Sequence, residues 1–196
     1  MSLVVAMAVF SVSMSISPGP VNLIALTSGI NCGLARSIRF ITGATVGFTA
    51  LLVLVGFGFG ELNSTFPVNV SFLKYLGCAY IFYIGCKVFF DTGAIEEATN
   101  KHKPPSFSQG ILMQWLNPKA WIACVAGTSA FDVYASNERF FLFIIIYFGV
   151  CYLGIASWTI LGQKIQIWIN TKGRIQTYNR TMGMTLCTLS VFLLGS

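Results

Sequence analysis

Six apolar stretches, separated by shorter polar stretches, run along this chain. A helix needs about 20 apolar residues to cross the hydrocarbon core of a bilayer, and most of the stretches reach that length. The pattern therefore predicts an all-α membrane protein with six transmembrane helices. Their approximate limits are 3–27, 38–60, 72–90, 107–128, 140–161 and 181–196, and the last of them is the shortest.

The longest polar interruption, at about residues 91–106, divides the chain into two halves with three apolar stretches each. Three crossings place the two ends of a half on opposite sides of the membrane, so the second half must run inverted relative to the first. We therefore expect one membrane domain over 1–196, built from two inverted three-helix repeats at about 1–90 and 107–196.

The positions of the basic residues favour the same arrangement. Nine of the 12 lysines and arginines fall in the first, third and fifth connections or at the helix ends beside them, namely Arg36, Arg39, Lys87, Lys101, Lys103, Lys164, Lys172, Arg174 and Arg180. Cytoplasmic loops of membrane proteins carry an excess of Lys and Arg. The odd-numbered connections are therefore predicted to be cytoplasmic, and both termini lie on the opposite side.

The composition excludes several classes of function. Hydrophobic residues make up 55% of the chain and charged residues 9%, whereas a soluble domain averages about 25% charged residues. The net charge of +6 indicates topology and not nucleic-acid binding, because the chain has no soluble basic face. The sequence contains no nucleotide-binding motif, which argues against an ATP-driven pump, and we expect neither a cofactor nor a metal.

Prolines interrupt the first and fourth predicted helices, in P-G-P at 18–20 and in N-P-K at 117–119. A proline removes one N–H donor and frees carbonyls that lipid cannot satisfy, so such a break survives only where protein or a water-filled cavity surrounds it. Interrupted helices at matching places of two inverted halves indicate the binding site of a transporter. The candidate residues are Pro18, Gly19, Pro20, Asn22, Asn117, Pro118 and Lys119. The alternative is that the prolines only kink packed helices.

Lys119 lies near the centre of the fourth apolar stretch. A lysine at the bilayer centre costs about 2.5–3.5 kcal/mol on insertion scales, so such residues usually line a pathway or pair with a counter-charge. No Asp or Glu lies inside any of the six stretches, so we expect an anionic group of the substrate, bound also by half-helix amides near Asn22. Two alternatives stay open. In the first, Lys119 releases its proton during transport, because burial favours the neutral amine. In the second, the limits predicted for the fourth helix are wrong, and the Lys119 side chain extends to the membrane interface.

The second apolar stretch contains G-A-T-V-G, from Gly43 to Gly47. Small residues four positions apart let helix backbones approach closely in a membrane. We therefore interpret Gly43 and Gly47 as helix-packing positions and not as part of a binding site.

The six cysteines form no C-x-x-C pair, and most of them fall in apolar stretches. The simplest interpretation is that they are small residues of membrane helices, and a redox or metal role is the alternative. A membrane thiol–disulfide carrier is therefore the rival function. It requires two reactive cysteines that face one another.

Four motifs of this sequence resemble the LysE/RhtB family of bacterial amino-acid exporters. P-G-P-V-N-L-I-A-L-T-S-G (18–29) and G-L-A-R-S-I-R-F-I-T-G-A-T-V-G-F (33–48) are similar to the first two helices of that family. L-K-Y-L-G-C-A-Y-I-F-Y-I-G (73–85) is similar to its third helix, and Q-W-L-N-P-K-A-W (114–121) to its fourth-helix motif. The motifs occur in the family's order, and the likeness covers about 15–130.

The resemblance implies a six-helix exporter of amino acids or their derivatives in the bacterial inner membrane, driven by proton motive force. We expect it to work by alternating access, with both termini in the periplasm and no enzymatic activity. A-L-T-S-G and N-P-K-A-W are most similar to the branch that exports cysteine and O-acetylserine, and other branches handle homoserine, threonine, lysine or leucine.

The family motifs correspond here to 18–20 and 117–119. Directly after P-G-P many members have Asn, where this chain has Val21 followed by Asn22. The partners implied are an amino-acid substrate, protons and the lipid bilayer, and the sequence does not exclude a homo-oligomer.

Overall fold

The structure, a computed structural model, describes residues 2–65, 70–90, 103–169 and 172–195. Residues 91–102 of the predicted central loop lie outside these ranges. Within them, the regular elements are seven α-helices and one 3-10 turn. These are α1 (Leu3–Ile16), α2 (Pro20–Thr65), α3 (Val70–Phe89), α4 (Phe107–Trp115), α5 (Pro118–Ala130), the 3-10 turn (Val133–Ala135), α6 (Asn137–Ile169) and α7 (Lys172–Gly195). The predicted all-α class is confirmed.

Two stretches of helix within the described residues are long and apolar enough to cross a membrane. They are Pro20–Gly58, with 39 residues, and Asn137–Gln166, with 30 residues. Large apolar side chains project from the surface of α6, where Ile145 and Leu153 are each 69% exposed and Phe141 is 56% exposed. Exposure of so many apolar side chains to water is unfavourable. Contact with lipid tails is not, so this surface is suited to a membrane.

The connection between the first two predicted helices is a kink inside one long element, α2. Within this element the residue with non-helical angles is Gly33, at φ 77° and ψ 169°. Glycine takes a positive φ without the steric cost that a side chain brings, so the chain turns at a single residue. The predicted connection at 28–37 was therefore too long, because the helix extends to Cys32 and resumes at Leu34. Gln163 Oε1 accepts a hydrogen bond of 2.9 Å from Leu34 N beside the kink.

The last two helices are longer than the apolar stretches that predicted them. α6 ends at Ile169 and not near residue 161, and α7 begins at Lys172 and not near residue 181. The first turns of α7 are formed by K-G-R-I-Q-T-Y-N-R, which hydropathy does not count as membrane helix. The predicted start of the sixth helix was therefore wrong, because a helix continues through polar residues beyond the apolar stretch.

The part of α2 after the kink packs closely against α4. A Cβ atom at Gly43 would overlap the carbonyl oxygen of Phe107, and a Cβ at Gly47 would lie 2.8 Å from Ile111 Cα. Both atoms of α4 belong to the backbone and cannot turn away like a side chain. The two helices can therefore approach this closely only where α2 carries glycine.

The part of α2 before the kink packs in the same way against α6. A Cβ at Gly29 would overlap the carbonyl oxygen of Thr159, and a Cβ at Gly162 would overlap the carbonyl oxygen of Leu26. α1 also packs on α6. These contacts join α1, α2, α4, α5 and α6 into one tight group of helices.

α3 and α7 form a pair beside this group and contact each other much more than they contact the other helices. A Cβ at Gly183 would lie 2.6 Å from the carbonyl oxygen of Gly85, so the two backbones are in direct contact. Ser190 Oγ donates a hydrogen bond of 2.7 Å to the carbonyl of Cys78. We refer to these two helices as the α3–α7 pair.

Candidate functional site

The first break lies between α1, which ends at Ile16, and α2, which begins at Pro20. In a continuous helix, the carbonyls of Met14 and Ile16 would accept from the N–H groups of residues 18 and 20. Both of those residues are prolines and have no N–H. The break therefore leaves carbonyls that need other donors, because lipid offers none.

Side chains supply these donors. Ser17 Oγ donates to the carbonyl of Met14 at 3.1 Å, and the indole Nε1 of Trp158 donates to the carbonyl of Ile16 at 3.0 Å. Asn22 Nδ2 donates to the carbonyls of Ser15, at 2.7 Å, and Ser17, at 3.0 Å. The unwound segment is therefore held in one defined conformation by its own Ser17 and by side chains of α2 and α6.

The second break lies at residues 116–117, between α4 and α5, and is stabilised by the same principle. Asn117 is the N-cap of α5 and Pro118 occupies the first helical position, where the missing N–H is no loss. The side chain of Asn117 accepts a hydrogen bond of 3.2 Å from Lys119 N. The carbonyl of Trp115 accepts from the indole Nε1 of Trp121 at 2.8 Å.

Lys119 connects the two breaks. Its Nζ donates a hydrogen bond of 2.6 Å to the carbonyl of Ser17 in the first break. A Cβ at Gly19 would lie 3.3 Å from Lys119 Cδ and 3.4 Å from Nζ, so the glycine of P-G-P leaves room for the lysine side chain. The structure thus brings Gly19 and Asn22 of the first break together with Asn117 and Lys119 of the second. The two pairs lie about a hundred residues apart in the sequence.

A cavity of about 40 Å³ lies at the meeting point of the two breaks, and these four residues line it. A buried water needs about 10–15 Å³ of such space, so the cavity has room for about three waters. An amino acid needs more space than this. The cavity in this structure would have to widen to hold a molecule of that size.

Further residues that the sequence analysis did not select also line the cavity, among them Ser15, Phe48, Gln114, Tyr147 and Cys151. Gln114 is 5% exposed, and a buried amide in an apolar stretch is a signal that could have identified it. Ser15 Oγ is buried and has no hydrogen-bond partner among the described residues. Tyr147 and Phe48, whose rings stack with centroids 4.3 Å apart, come from different helices, and no sequence spacing relates them.

The groups that remain for a ligand are few. The amide nitrogen of Asn22 is occupied by two carbonyls, which leaves its Oδ1 as an acceptor. At the start of α5, Lys119 N donates to Asn117 Oδ1, and Ala120 N and Trp121 N donate to the carbonyl of Asn117. A carboxylate would have to displace Asn117 to reach these amides. The ammonium group of Lys119 has three donors, and it is the charged group among the residues that line the cavity.

The cysteines do not form a reactive pair at this site. Of the described residues that line the cavity, Cys151 is the one cysteine. Cys86 and Cys187 have their sulfur atoms 4.0 Å apart, but they belong to the α3–α7 pair and line neither break. This placement gives no support to a thiol–disulfide carrier.

Comparison with known proteins gives a family match. Residues 12–196 match the family model described as LysE type translocator. The homoserine/homoserine lactone efflux protein of Salmonella typhimurium is 24% identical over 188 residues, which cover 93% of this chain and 91% of that protein. The cysteine/O-acetylserine efflux protein of Klebsiella pneumoniae is 24% identical over 195 residues, which cover 97% of both chains. No solved structure matches the chain.

The two efflux proteins are similar to this chain to the same degree. Their identity of 24% therefore does not distinguish a homoserine exporter from a cysteine or O-acetylserine exporter. Neither name describes an enzyme or a thiol–disulfide carrier.

Proposed function

Because this chain belongs to the LysE type translocator family, we propose that it is a secondary exporter of small neutral amino acids in the bacterial inner membrane. The observation that carries this proposal is the hydrogen bond between Lys119 Nζ and the carbonyl of Ser17. It joins two helix breaks at a buried cavity, and breaks of this kind form the substrate sites of transporters.

Lys119 is the proposed partner of the substrate's carboxylate. A carboxylate carries a full negative charge, and its attraction to the ammonium group is stronger in a buried site than in water. A carboxylate therefore competes well with the neutral carbonyl of Ser17. Binding would then release Lys119 from Ser17 and separate the two breaks. Substrate binding and opening of the site are coupled in this way.

The substrate class follows from the chemistry of the site and the names of the relatives. Homoserine, cysteine and O-acetylserine are amino acids with short side chains that carry one or two polar atoms. Besides Lys119, the cavity offers the polar side chains of Ser15, Asn22, Gln114 and Tyr147. An ammonium group can be bound by Asn22 Oδ1, and a short polar side chain by Gln114.

The arrangement of helices supports two inverted repeats. If α1 with the first part of α2 corresponds to α4 with α5, then the second part of α2 corresponds to α6, and α3 corresponds to α7. If the two repeats are related in this way, the contact between α4 and the second part of α2 should have a counterpart between α1 and α6. The structure contains both contacts, and α3 packs on its own counterpart, α7.

The membrane orientation that we propose places the basic end of the protein in the cytoplasm and both termini in the periplasm. Leu34, next to the kink, contacts Gln163 near the end of α6, so the first and fifth connections lie at the same end. Their basic residues include Arg36 and Lys164. An excess of Lys and Arg marks the cytoplasmic side.

Alternating access requires one part of the protein to move against another. We propose that the α3–α7 pair moves against the group formed by the other five helices, and not that one sequence half moves against the other half. Each sequence half contributes helices to both parts. The tight glycine contacts of α2 with α4 and α6 join the two halves, whereas α3 and α7 contact each other much more than they contact the group.

The test is an efflux assay with a panel of labelled amino acids. Cells with and without the protein are loaded with homoserine, cysteine, O-acetylserine, threonine, lysine or leucine, and the loss of label is followed. We expect faster loss of at least one small neutral amino acid, and slower loss when a protonophore removes the proton gradient. Equal loss from both kinds of cell for every compound would refute the proposed function.

A further inference from the structure

A second, larger cavity of about 160 Å³ lies between α2, α3 and the start of α4. Each helix contributes one face to it. The α2 face consists of Ile24, Thr27, Ser28 and Asn31. Their spacing of three, four and seven residues places them on one side of the helix. The α2 wall of the cavity is therefore apolar at the end formed by Ile24 and polar towards Asn31.

The other two sides are formed by α3, which belongs to the α3–α7 pair, and by the start of α4 with the segment that leads into it. The α3 face consists of Tyr80, Ile84, Lys87 and Val88. The third side is formed by Lys103, Pro105, Gln109 and Met113. The cavity thus lies on the boundary between the α3–α7 pair and the other helices, where the proposed movement would change its shape.

An apolar floor separates the second cavity from the first. Ile24 and Met113 line the second cavity, whereas Asn22 and Gln114, which are close to them on the same helices, line the first. Met113 is 2% exposed, and Phe40, which also lines the second cavity, is fully buried. A solute that passes from the second cavity to the first must displace these apolar side chains.

The mouth of the second cavity is positively charged. Lys87 lies in the last turn of α3 and Lys103 precedes α4, and both side chains are exposed. The described residues that line this cavity include no Asp or Glu. A cleft lined by charge of one sign raises the local concentration of the opposite charge and its rate of association.

We propose that the second cavity is an access site at which Lys87 and Lys103 bind the carboxylate of the substrate before it crosses the apolar floor. This proposal rests on the proposed export function, since it assigns the site at which a cytoplasmic amino acid is first bound. Thr27, Ser28 and Asn31 line the same cavity, and side-chain oxygens of these types can accept hydrogen bonds from an ammonium group. The ligand class is therefore an amino acid with a free carboxylate.

The first experiment measures transport kinetics in inside-out membrane vesicles, where the cytoplasmic side faces the medium and the substrate concentration is controlled. We expect Lys87→Gln combined with Lys103→Gln to raise KM about tenfold, in the range of electrostatic effects on association, with little change in the maximal rate. The control is Lys164→Gln, which removes an exposed lysine of α6 that lines neither cavity. An unchanged KM in the double variant would overturn the proposal.

The second experiment does not depend on transport, because Cys32 lines the same cavity. Its rate of reaction with an anionic and with a cationic methanethiosulfonate reagent is measured by mass spectrometry of the peptide that contains it. We expect the anionic-to-cationic ratio of rates to fall severalfold in the double lysine variant. We also expect an amino acid to slow the reaction and its methyl ester, which has no free carboxylate, to leave the rate unchanged.

These readouts separate failure of the site from failure of the export function. If an amino acid protects Cys32 in a lysine-dependent way but no compound is exported, the export function is wrong and the binding site stands. If export is normal but the ratio of rates and the protection do not depend on the two lysines, the site is wrong and the export function stands.

Anionic lipid headgroups offer the same chemistry as a carboxylate and are attracted by lysines near a membrane surface. The two experiments are therefore repeated in vesicles of phosphatidylcholine alone and in vesicles that also contain phosphatidylglycerol. Protection and the KM effect in pure phosphatidylcholine support a substrate site. Lysine effects that occur only with phosphatidylglycerol assign the two lysines to lipid binding and overturn the proposal.

Discussion

The carbonyl oxygen of Ser17 accepts hydrogen bonds from two side chains, Asn22 of its own break and Lys119 of the other break. A carbonyl that an unwound segment leaves without its helical partner is costly in an apolar environment unless another donor pairs with it. Each of the two side chains therefore stabilises the unwound segment, but they differ in charge. The charged amine of Lys119 is attracted more strongly to an anion than to the neutral carbonyl of Ser17. The neutral amide nitrogen of Asn22 does not gain this attraction.

The first prediction concerns the charge of Lys119. We expect Lys119→Gln and Lys119→Met to lower the affinity for the exported amino acid about 10- to 100-fold, because hydrogen bonds to charged groups contribute about 1.5–3 kcal/mol. The measurement is efflux of the labelled amino acid at equal membrane abundance of each protein. Export at the wild-type rate by both variants would remove Lys119 from the mechanism.

The second prediction concerns Asn22 as a structural partner of the break. We expect Asn22→Ala to lower the free energy of unfolding by about 1–3 kcal/mol, because it leaves two buried carbonyls without this donor. The measurement is thermal unfolding of the purified protein in detergent. The control is Ser13→Ala. Ser13 lies on the exposed face of α1, and its hydroxyl also donates to a backbone carbonyl. A larger effect at Ser13 than at Asn22 would contradict this account.

At the scale of helices, glycine decides how closely the elements approach. Gly43, Gly29 and Gly162 each face a backbone carbonyl of a neighbouring helix, and an added Cβ would overlap it. Gly33 serves a different purpose, since its positive φ lets α2 turn without a loop. The same residue type therefore provides close packing at some positions and a kink at another.

The third prediction compares two substitutions of the same kind on two helices. We expect Gly43→Ala to destabilise the protein by about 1–3 kcal/mol, because overpacking forces the helices apart. Gly149→Ala on α6 is the matched control, since a Cβ there would meet nothing within 4 Å. This change should be neutral or stabilising by about 0.5–1 kcal/mol, as in other helices. Equal melting temperatures for the two variants would argue against close packing of α2 on α4.

At the scale of the whole molecule, the division into moving parts does not follow the division of the sequence into halves. The α3–α7 pair takes one helix from each half, and the tight group takes the rest. The second cavity lies between these two parts. A shift of the pair would therefore open or close the path from the basic end of the protein to the breaks.

The fourth prediction tests this division by cross-linking. Cys86 and Cys187 have their sulfur atoms 4.0 Å apart within the α3–α7 pair, so mild oxidation with copper phenanthroline should join them and leave export within twofold of its rate. A bifunctional methanethiosulfonate reagent that joins Cys32 to Val88→Cys, across the second cavity, should abolish export. Both rates are measured before and after reduction of the cross-link, and Val88→Cys without reagent is the control.

The opposite pattern of results would contradict the division into these two parts. If the link between Cys86 and Cys187 blocks export, then α3 and α7 move relative to each other. If the link across the second cavity leaves export unchanged, then the pair does not move against α2 during transport.

The sequence by itself determined the helical class and, to within one or two residues, the positions of the breaks. Apolar stretches of membrane length allow no other regular structure for most of the chain, and proline cannot continue a helix. Residues 18–20 and 117–119 were identified by these local rules, and the same rules explain why Gly43 and Gly47 lie in helices. The limits of the helices were predicted less well, because polar turns at helix ends do not differ in hydropathy from loops.

Only the tertiary structure decided which groups meet. The carbonyl that Lys119 binds belongs to Ser17, and the indole that completes the first break belongs to Trp158, a residue more than a hundred positions away. The second cavity and the α3–α7 pair likewise depend on contacts between helices that are distant in sequence. Local spacing determines which face of a helix a side chain occupies, but the partner of that face is set by the packing of all the helices together.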